Sequence, residues 1–396
     1  MKVYYYILWG EAMRNLYLLL GNGNSIGIVS RINAYRIQQG QPILDVDLSN
    51  LFYYGADFNF PMTSDPFLTE EHCPKLWELG ARPGMDRDPA QKIESRIITC
   101  GNVYALAKYE EEIISTNNFG SYNNLPFSLT PITFSSESNE IISYSNAHSK
   151  YSENEVISRL YFGAYGEFSS YLRYLFIYYN SQVTDNDLIN IDVPLINYIK
   201  KNYNKFDKII INSYVYDIFM ERLLMLNGLP FSLGDFENNY SSKIIFYKPH
   251  GSISFFYKKS FPLGTTYKIP YNELSFQQKI KICDFNIKYE FDDDYPIHNG
   301  MIPPNGDAER YEVSYYQKIR NSIIRAAKGS KSGYIYYIIG SSYSCADRFE
   351  LDRINTNFNK LTNVIYVDPN ANPDYDAVLS SLFINYKQIK DFEDQC

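Results

Sequence analysis

Asn15 to Leu20 (NLYLLL) is an unbroken apolar run that stops at Gly21-Asn22-Gly23-Asn24-Ser25-Ile26-Gly27. Side chains of a strand point alternately to its two faces, so a strand apolar at every position must be covered on both. Strands of that kind belong to parallel sheets, whose members are joined by crossover connections. Glycines at the end of such a strand permit a tight turn and a close approach of backbone N–H groups to an anion, which a following helix N-terminus also attracts. The spacing here is GxGxxxG, and Asp45 and Asp47, near the distance of a ribose-binding carboxylate, come after a break at Gly40 and Pro42. Taken by itself the turn fits either a phosphate site or tight packing.

The pattern recurs downstream. Lys208 to Ile211 and Lys243 to Tyr247 read as buried strands, the second running into Lys248-Pro249-His250-Gly251-Ser252. Gly333 to Ile339 leads into Gly340-Ser341-Ser342, and Thr362 to Val367 into Asp368-Pro369-Asn370. Helical spacing covers 28–38, 155–179, 193–202, 216–226, 316–327 and 347–359. This alternation predicts an α/β fold, a Rossmann-like parallel sheet with helices on both faces. Residues 1–50 and 206–396 would form the core and 51–205 a mostly helical and irregular insertion. Prolines interrupt 51–101, leaving islands of order at 73–79 and 90–99, and the Asn- and Ser-rich stretch 117–152 reads as a surface loop. Residues 259–311 read as irregular.

Composition bears on several function classes. The net charge of −8 argues mildly against nonspecific nucleic-acid binding, and the basic clusters, such as Lys200-Lys201 and Lys328 to Lys331, are short; a local DNA-contacting patch stays open, though none is visible in the sequence. No stretch approaches the ~18 apolar residues of a membrane span. Met1 to Gly10 carries an apolar run, but Glu11 and Arg14 follow and no small-residue cleavage site is present, so it makes a poor signal peptide. Met13, just before the first strand, is an alternative start. The five cysteines (Cys73, Cys100, Cys283, Cys345, Cys396) are far apart without a CxxC pair, which excludes a zinc ribbon and fits reduced thiols in a cytoplasmic protein.

Open parallel sheets bind ligands outside the carboxyl ends of their strands. Gly21 to Ser25, Asp217, His250, Ser341-Ser342 and Asp368 to Asn370 all follow apolar runs, and together they point to one cleft. His72, His148 and His298 lie in irregular segments and read as surface or packing residues. The acidic run Asp292 to Asp294 could bind a divalent metal in a nuclease, although such runs are usually solvated loops.

The ordered blocks G-x-G-x-S, Y-D-x-x-x-E (Tyr216-Asp217 to Glu221), H-G-S, I-P-P (Ile302 to Pro304), I-G-S-S with Asp347, and V-D-P-N resemble the SIR2-like family, in particular its bacterial anti-phage branch. The resemblance implies an NAD⁺-binding sheet that cleaves the nicotinamide–ribose bond, with NAD⁺ as substrate and no metal. It implies that Gly21, Asn22, Gly23, Asn24 and Ser25 hold the pyrophosphate, that Gly340, Ser341 and Ser342 contact phosphate or ribose, and that Asp368 and Asn370 lie on the adenine side. His250 would act as base and the Asp217 segment would line the nicotinamide pocket. Histidine takes up a proton near neutral pH, and a carboxylate stabilises oxocarbenium charge, so those residue types suit the chemistry.

The family's Asn-x-Asp would place an asparagine at position 215, where this chain has Val215. Either Asn212 serves in its place or the catalytic amide is missing, which leaves a non-catalytic NAD-binding scaffold as the alternative. Protein deacylation is disfavoured without the zinc module of sirtuin deacylases. An active NAD⁺ hydrolase would need gating in abortive infection, and the resemblance implies a ring-forming DNA translocase ATPase or an Argonaute-like protein as partner. The apolar excess of the 155–179 helix suggests homo-oligomerisation, or burial on several sides within the chain.

Overall fold

The computed structural model describes residues 14–97, 153–236, 242–258, 260–261, 281–291, 295–296, 299–303, 314–344 and 347–392. The 117–152 stretch, Asp292 to Asp294, His148, His298, Pro304, Cys100, Cys345, Cys396 and the segment before residue 14 lie outside them.

Strand β1 (Arg14–Leu20) is followed by α1 (Asn22–Gln38), α2 (Pro74–Glu78), α3 (Glu153–Gln182), α4 (Asp185–Ile189) and α5 (Pro194–Asn202). Then come β2 (Phe206–Ser213), α6 (Phe219–Leu226), β3 (Phe231–Leu233), β4 (Ile244–Tyr247), β5 (Gly251–Tyr257), β6 (Ser260–Phe261), β7 (Phe285–Ile287), β8 (Tyr295–Pro296) and β9 (Asn299–Met301). The chain continues with α7 (Ser314–Lys328), β10 (Ile335–Ile339), α8 (Arg348–Asn355), β11 (Asn363–Val367), α9 (Pro373–Leu382) and β12 (Asn385–Ile389).

A seven-stranded sheet runs in the order β12-β11-β10-β1-β2-β4-β3, with every neighbouring pair parallel. From the central β1 the chain builds first toward β2 and later, on the other side, toward β10. The topological switch point therefore lies between β1 and β10. Alternation along β1 separates two cores. Leu16, Leu18 and Leu20 face α1, α3, α5 and α6, whereas Tyr17 and Leu19 face α7, α8 and α9. This is the expected Rossmann-like architecture with helices on both faces.

Several elements go beyond the sequence expectation. Helix α1 begins at Asn22, so Asn22, Gly23 and Asn24 form its first turn rather than a free loop. Gly251, expected within a turn, opens β5, the centre of a three-stranded antiparallel sheet ordered β7-β5-β9. Its φ of +82° and the 1.9 Å that would separate a Cβ there from the Gly300 carbonyl oxygen show why glycine is needed at that crossing. Strands β3 and β12 and helix α9 were likewise not anticipated.

Residues 163–173 of α3 are buried without interruption within the chain. On one side Tyr171 stacks on Phe52 at 5.6 Å, and the Glu167 carboxylate accepts the Lys75 and Leu76 N–H groups at 3.1 and 2.7 Å, capping α2. On the other side Arg173 donates to the Ile253 carbonyl at 3.2 Å, which docks α3 on the small sheet. Among the described residues no helix is long and apolar enough to cross a membrane.

The insertion contains its own titrating group. Glu94, in the helical stretch 87–97, accepts the Leu51 N–H at 3.4 Å. Burial pushes its carboxyl up to about 7 from the ordinary 4.5, opposed by the Leu51 hydrogen bond and reinforced by Asp47. The folded chain thus holds a proton that the unfolded chain releases, so this contribution is present at low pH and is lost as pH rises through that window. Between pH ~4 and ~8 the wild type should lose about 3 kcal/mol relative to Glu94→Gln, read from urea unfolding at each pH.

Candidate functional site

At the switch point the turns after β1 and β10 interlock. The Gly21 N–H donates to the Ile339 carbonyl and the Gly23 N–H to the Gly340 carbonyl, both at 2.9 Å, while the Asn24 N–H returns to the Gly21 carbonyl at 3.1 Å. A Cβ on Gly21 would stand 2.4 Å from the Gly340 oxygen. The glycines therefore serve close packing of one turn against the other, one of the two uses their spacing allows. Asn22 and Gly23 remain exposed at the start of α1, so an anion at this helix N-terminus would approach from their side. The Asn22 side chain donates to the Leu48 carbonyl at 3.0 Å, tying the insertion to the turn.

The other expected phosphate and adenine residues occupy the same edge of the sheet. Ser341 is buried and its carbonyl accepts the Tyr366 hydroxyl at 3.0 Å; Ser342 is exposed, and its carbonyl accepts the Asn372 amide at 3.1 Å. The Asp368 carboxylate accepts the Asn370 N–H at 2.8 Å, closing a turn that leaves Asn370 exposed. Partial burial raises the Asp368 pKa, with that hydrogen bond opposing.

His250 follows β4 and is 3% exposed. Its Nε2 lies 3.3 and 3.2 Å from the two carboxylate oxygens of Glu350 and 3.8 Å from an oxygen of Asp347. Both carboxylates come from the start of α8, about 100 residues away in sequence. The Tyr214 ring packs edge-on against His250 with centroids 4.6 Å apart. Burial, with Glu350 and Asp347 adding, pushes the Tyr214 hydroxyl well above its ordinary pKa. Ile302 braces this corner, its N–H donating to the His250 carbonyl at 2.9 Å and its carbonyl accepting the Tyr216 hydroxyl.

Asn212 is in register with Leu19 and Tyr247, both of which face the second core, so its side chain lies on the same side as Tyr214 and α8. Its Oδ1 is buried without a hydrogen-bond partner among the described residues, and its side chain lies against the Tyr214 hydroxyl. Val215 is buried in the loop between them and Asp217.

Asp217 enters a different cluster. Its Oδ1 accepts the Phe219 N–H at 3.0 Å, starting α6, and its backbone carbonyl accepts the Lys248 ammonium. Lys248 also meets Glu221 at 3.0 Å, with side chains 0% and 1% exposed. Burial raises the pKa of both Asp217 and Glu221, and Lys248 opposes it in each. The Ser25 hydroxyl faces the Asp217 carboxylate and favours its charged form. Lys248→Met would leave two buried carboxylates without their cation and should cost ~3–5 kcal/mol near neutral pH. Because those carboxylates then fold only with a proton, the deficit should shrink as pH falls, which urea titrations at several pH values would read.

The structure thus gathers Asn212, Tyr214, His250, Glu350 and Asp347 on one side of the sheet edge, and Ser25, Asp217, Glu221 and Lys248 at a second buried cluster. The sequence reading missed Glu350, Lys248 and Tyr214. For Glu350 the available signal was its place beside Leu351 and Ile354 on the buried face of α8. His72, expected to be a surface or packing residue, stacks on Phe60 at 4.1 Å. No family model and no curated protein matches this chain.

Proposed function

We propose that this chain binds NAD⁺ at the carboxyl edge of its parallel sheet and hydrolyses the nicotinamide–ribose bond. The observation that carries the reading is the buried His250–Glu350 pair at the end of β4, on the same sheet edge as the interlocked glycine turns. Water adds to the ribose carbon as nicotinamide leaves with the bonding electron pair, giving ADP-ribose and one proton. With Nε2–H donating to Glu350, the basic lone pair of His250 is on Nδ1, and the proton from water goes there. Glu350 and Asp347 then stabilise the imidazolium and the developing positive charge nearby. The buried Asn212 oxygen, without a partner among the described residues, supplies an acceptor for the nicotinamide carboxamide or for water, a role Val215 cannot fill. Asp217, held by Lys248, shapes the wall under α6.

The SIR2-like resemblance adds the setting: NAD⁺ depletion in anti-phage defence, gated by a partner such as a ring-forming DNA translocase or an Argonaute-like protein. Purified chain incubated with NAD⁺ should release nicotinamide and ADP-ribose in equal amounts, measured by chromatography with and without the genomically neighbouring protein. The scaffold reading draws on the low exposure of His250 and the apolar Val215. Calorimetric binding of NAD⁺ without release under either condition would select it.

A further inference from the structure

A groove between α7 and α8 is lined by Gln317, Lys318, Asn321, Arg325, Lys328 and Arg353. All six are exposed. The α7 residues repeat at helical spacing, so the groove's long wall presents cations and carboxamides over about 16 Å, at 1.5 Å per residue. Among the described residues none of its four cations is in an ion pair. Asp235 is within electrostatic reach of Lys318 and Arg325, but it is partly buried and accepts the Ser322 hydroxyl at 2.9 Å. In a chain of net charge −8 this is a local reversal of sign. It was invisible in the sequence because Arg353 joins the other cations only through packing of α8 on α7.

We infer that this groove binds the phosphate backbone of a nucleic-acid strand without reading its bases. Lysine, arginine and carboxamide side chains are the usual donors to phosphate oxygens. A protein partner would look for apolar or aromatic anchors, and Ile324, the apolar residue among the described residues of the lining, is buried. With no aromatic side chain among the described residues of the lining to stack on a base, binding depends on charge and is indifferent to sequence. Helix α8 carries Arg353 in the groove and Glu350 against His250, so the bound strand would rest on the element that holds the imidazole.

The test is fluorescence anisotropy with labelled single-stranded oligonucleotides of unrelated sequence, which needs no NAD⁺ turnover. Saturable binding is expected, falling about fifty-fold between ~50 and ~200 mM salt, as four released counterions on a single strand imply. Arg325→Glu/Lys328→Glu should weaken it at least tenfold and roughly halve the salt slope. Lys200→Glu/Lys201→Glu, on the exposed side of α5, should leave it unchanged. Thermal midpoints equal to wild type would show that both variants fold; if the double glutamate does not, Arg325→Gln/Lys328→Gln takes its place. Absence of saturable binding, equal loss in the α5 control, or full binding by the groove variant would overturn the assignment. Competition by polyglutamate as effective as by an oligonucleotide of equal charge would overturn it in favour of an acidic protein segment.

Discussion

Nicotinamide release is expected to fall roughly 10²- to 10⁴-fold when His250 becomes alanine, the range that a positioned acid–base group contributes. Glu350→Gln keeps the side-chain shape but removes the charge facing Nε2 at 3.2 Å. Replacing a charged hydrogen bond with a neutral one forfeits about 1–2 kcal/mol, so kcat should drop about tenfold with KM little changed. A group that acts through His250 has nothing to act on once the imidazole is gone, so the double variant should be no slower than His250→Ala alone. Both sites are buried, and thermal midpoints and a His250→Gln variant guard against reading misfolding as lost chemistry. Full activity in Glu350→Gln beside an inactive His250→Ala would make the pair structural. An active His250→Ala would remove the imidazole from the mechanism.

Gly340→Ala should be strongly damaging for a single added methyl. The residue sits at φ +60°, and its Cβ would stand 2.5 Å from the Asn24 nitrogen and 2.6 Å from the Gly23 carbonyl carbon, all of it backbone. Left-handed strain of ~1–2 kcal/mol adds to an overpacking cost of ~1–3 kcal/mol, so a loss of about 2–5 kcal/mol is expected from urea unfolding. Gly228→Ala separates the two causes. It has φ +66° with nothing near the added carbon, so it should lose only the strain. Equal losses at the two positions would mean that the turns after β1 and β10 can part at little cost. In that event the interlock would not be what holds the switch point closed.

Five strands of the seven-stranded sheet were legible because they are short and largely apolar. Asn15 to Leu20, Lys208 to Ile211, Lys243 to Tyr247, Gly333 to Ile339 and Thr362 to Val367 each correspond to a strand of the seven-stranded sheet. The islands of order expected at 73–79 and 90–99 meet α2 and the 87–97 helix. The antiparallel sheet was not legible. Ser252, Ile253, Ser254 and Phe255 do alternate, but all are buried, and the turn residues Gly251 and Pro249 drew the reading toward a loop. Strand β12 escaped because its side chains are at most half-buried and its composition is polar.

By itself the sequence determined the α/β class, the order of the strands in the chain and the residues that end up at their carboxyl ends. Those properties follow from local periodicity and from glycine's backbone freedom, both readable within a few residues. Which side chains meet was decided by tertiary structure alone. Glu350 reaches His250, Lys248 is buried between Asp217 and Glu221, and Arg353 joins Lys318, Arg325 and Lys328, in each case across elements distant in the chain. A charge or hydrogen-bonding group carries no mark of its future partner. Its partner is set by helix packing on the sheet, and that packing is directed by the apolar residues around it.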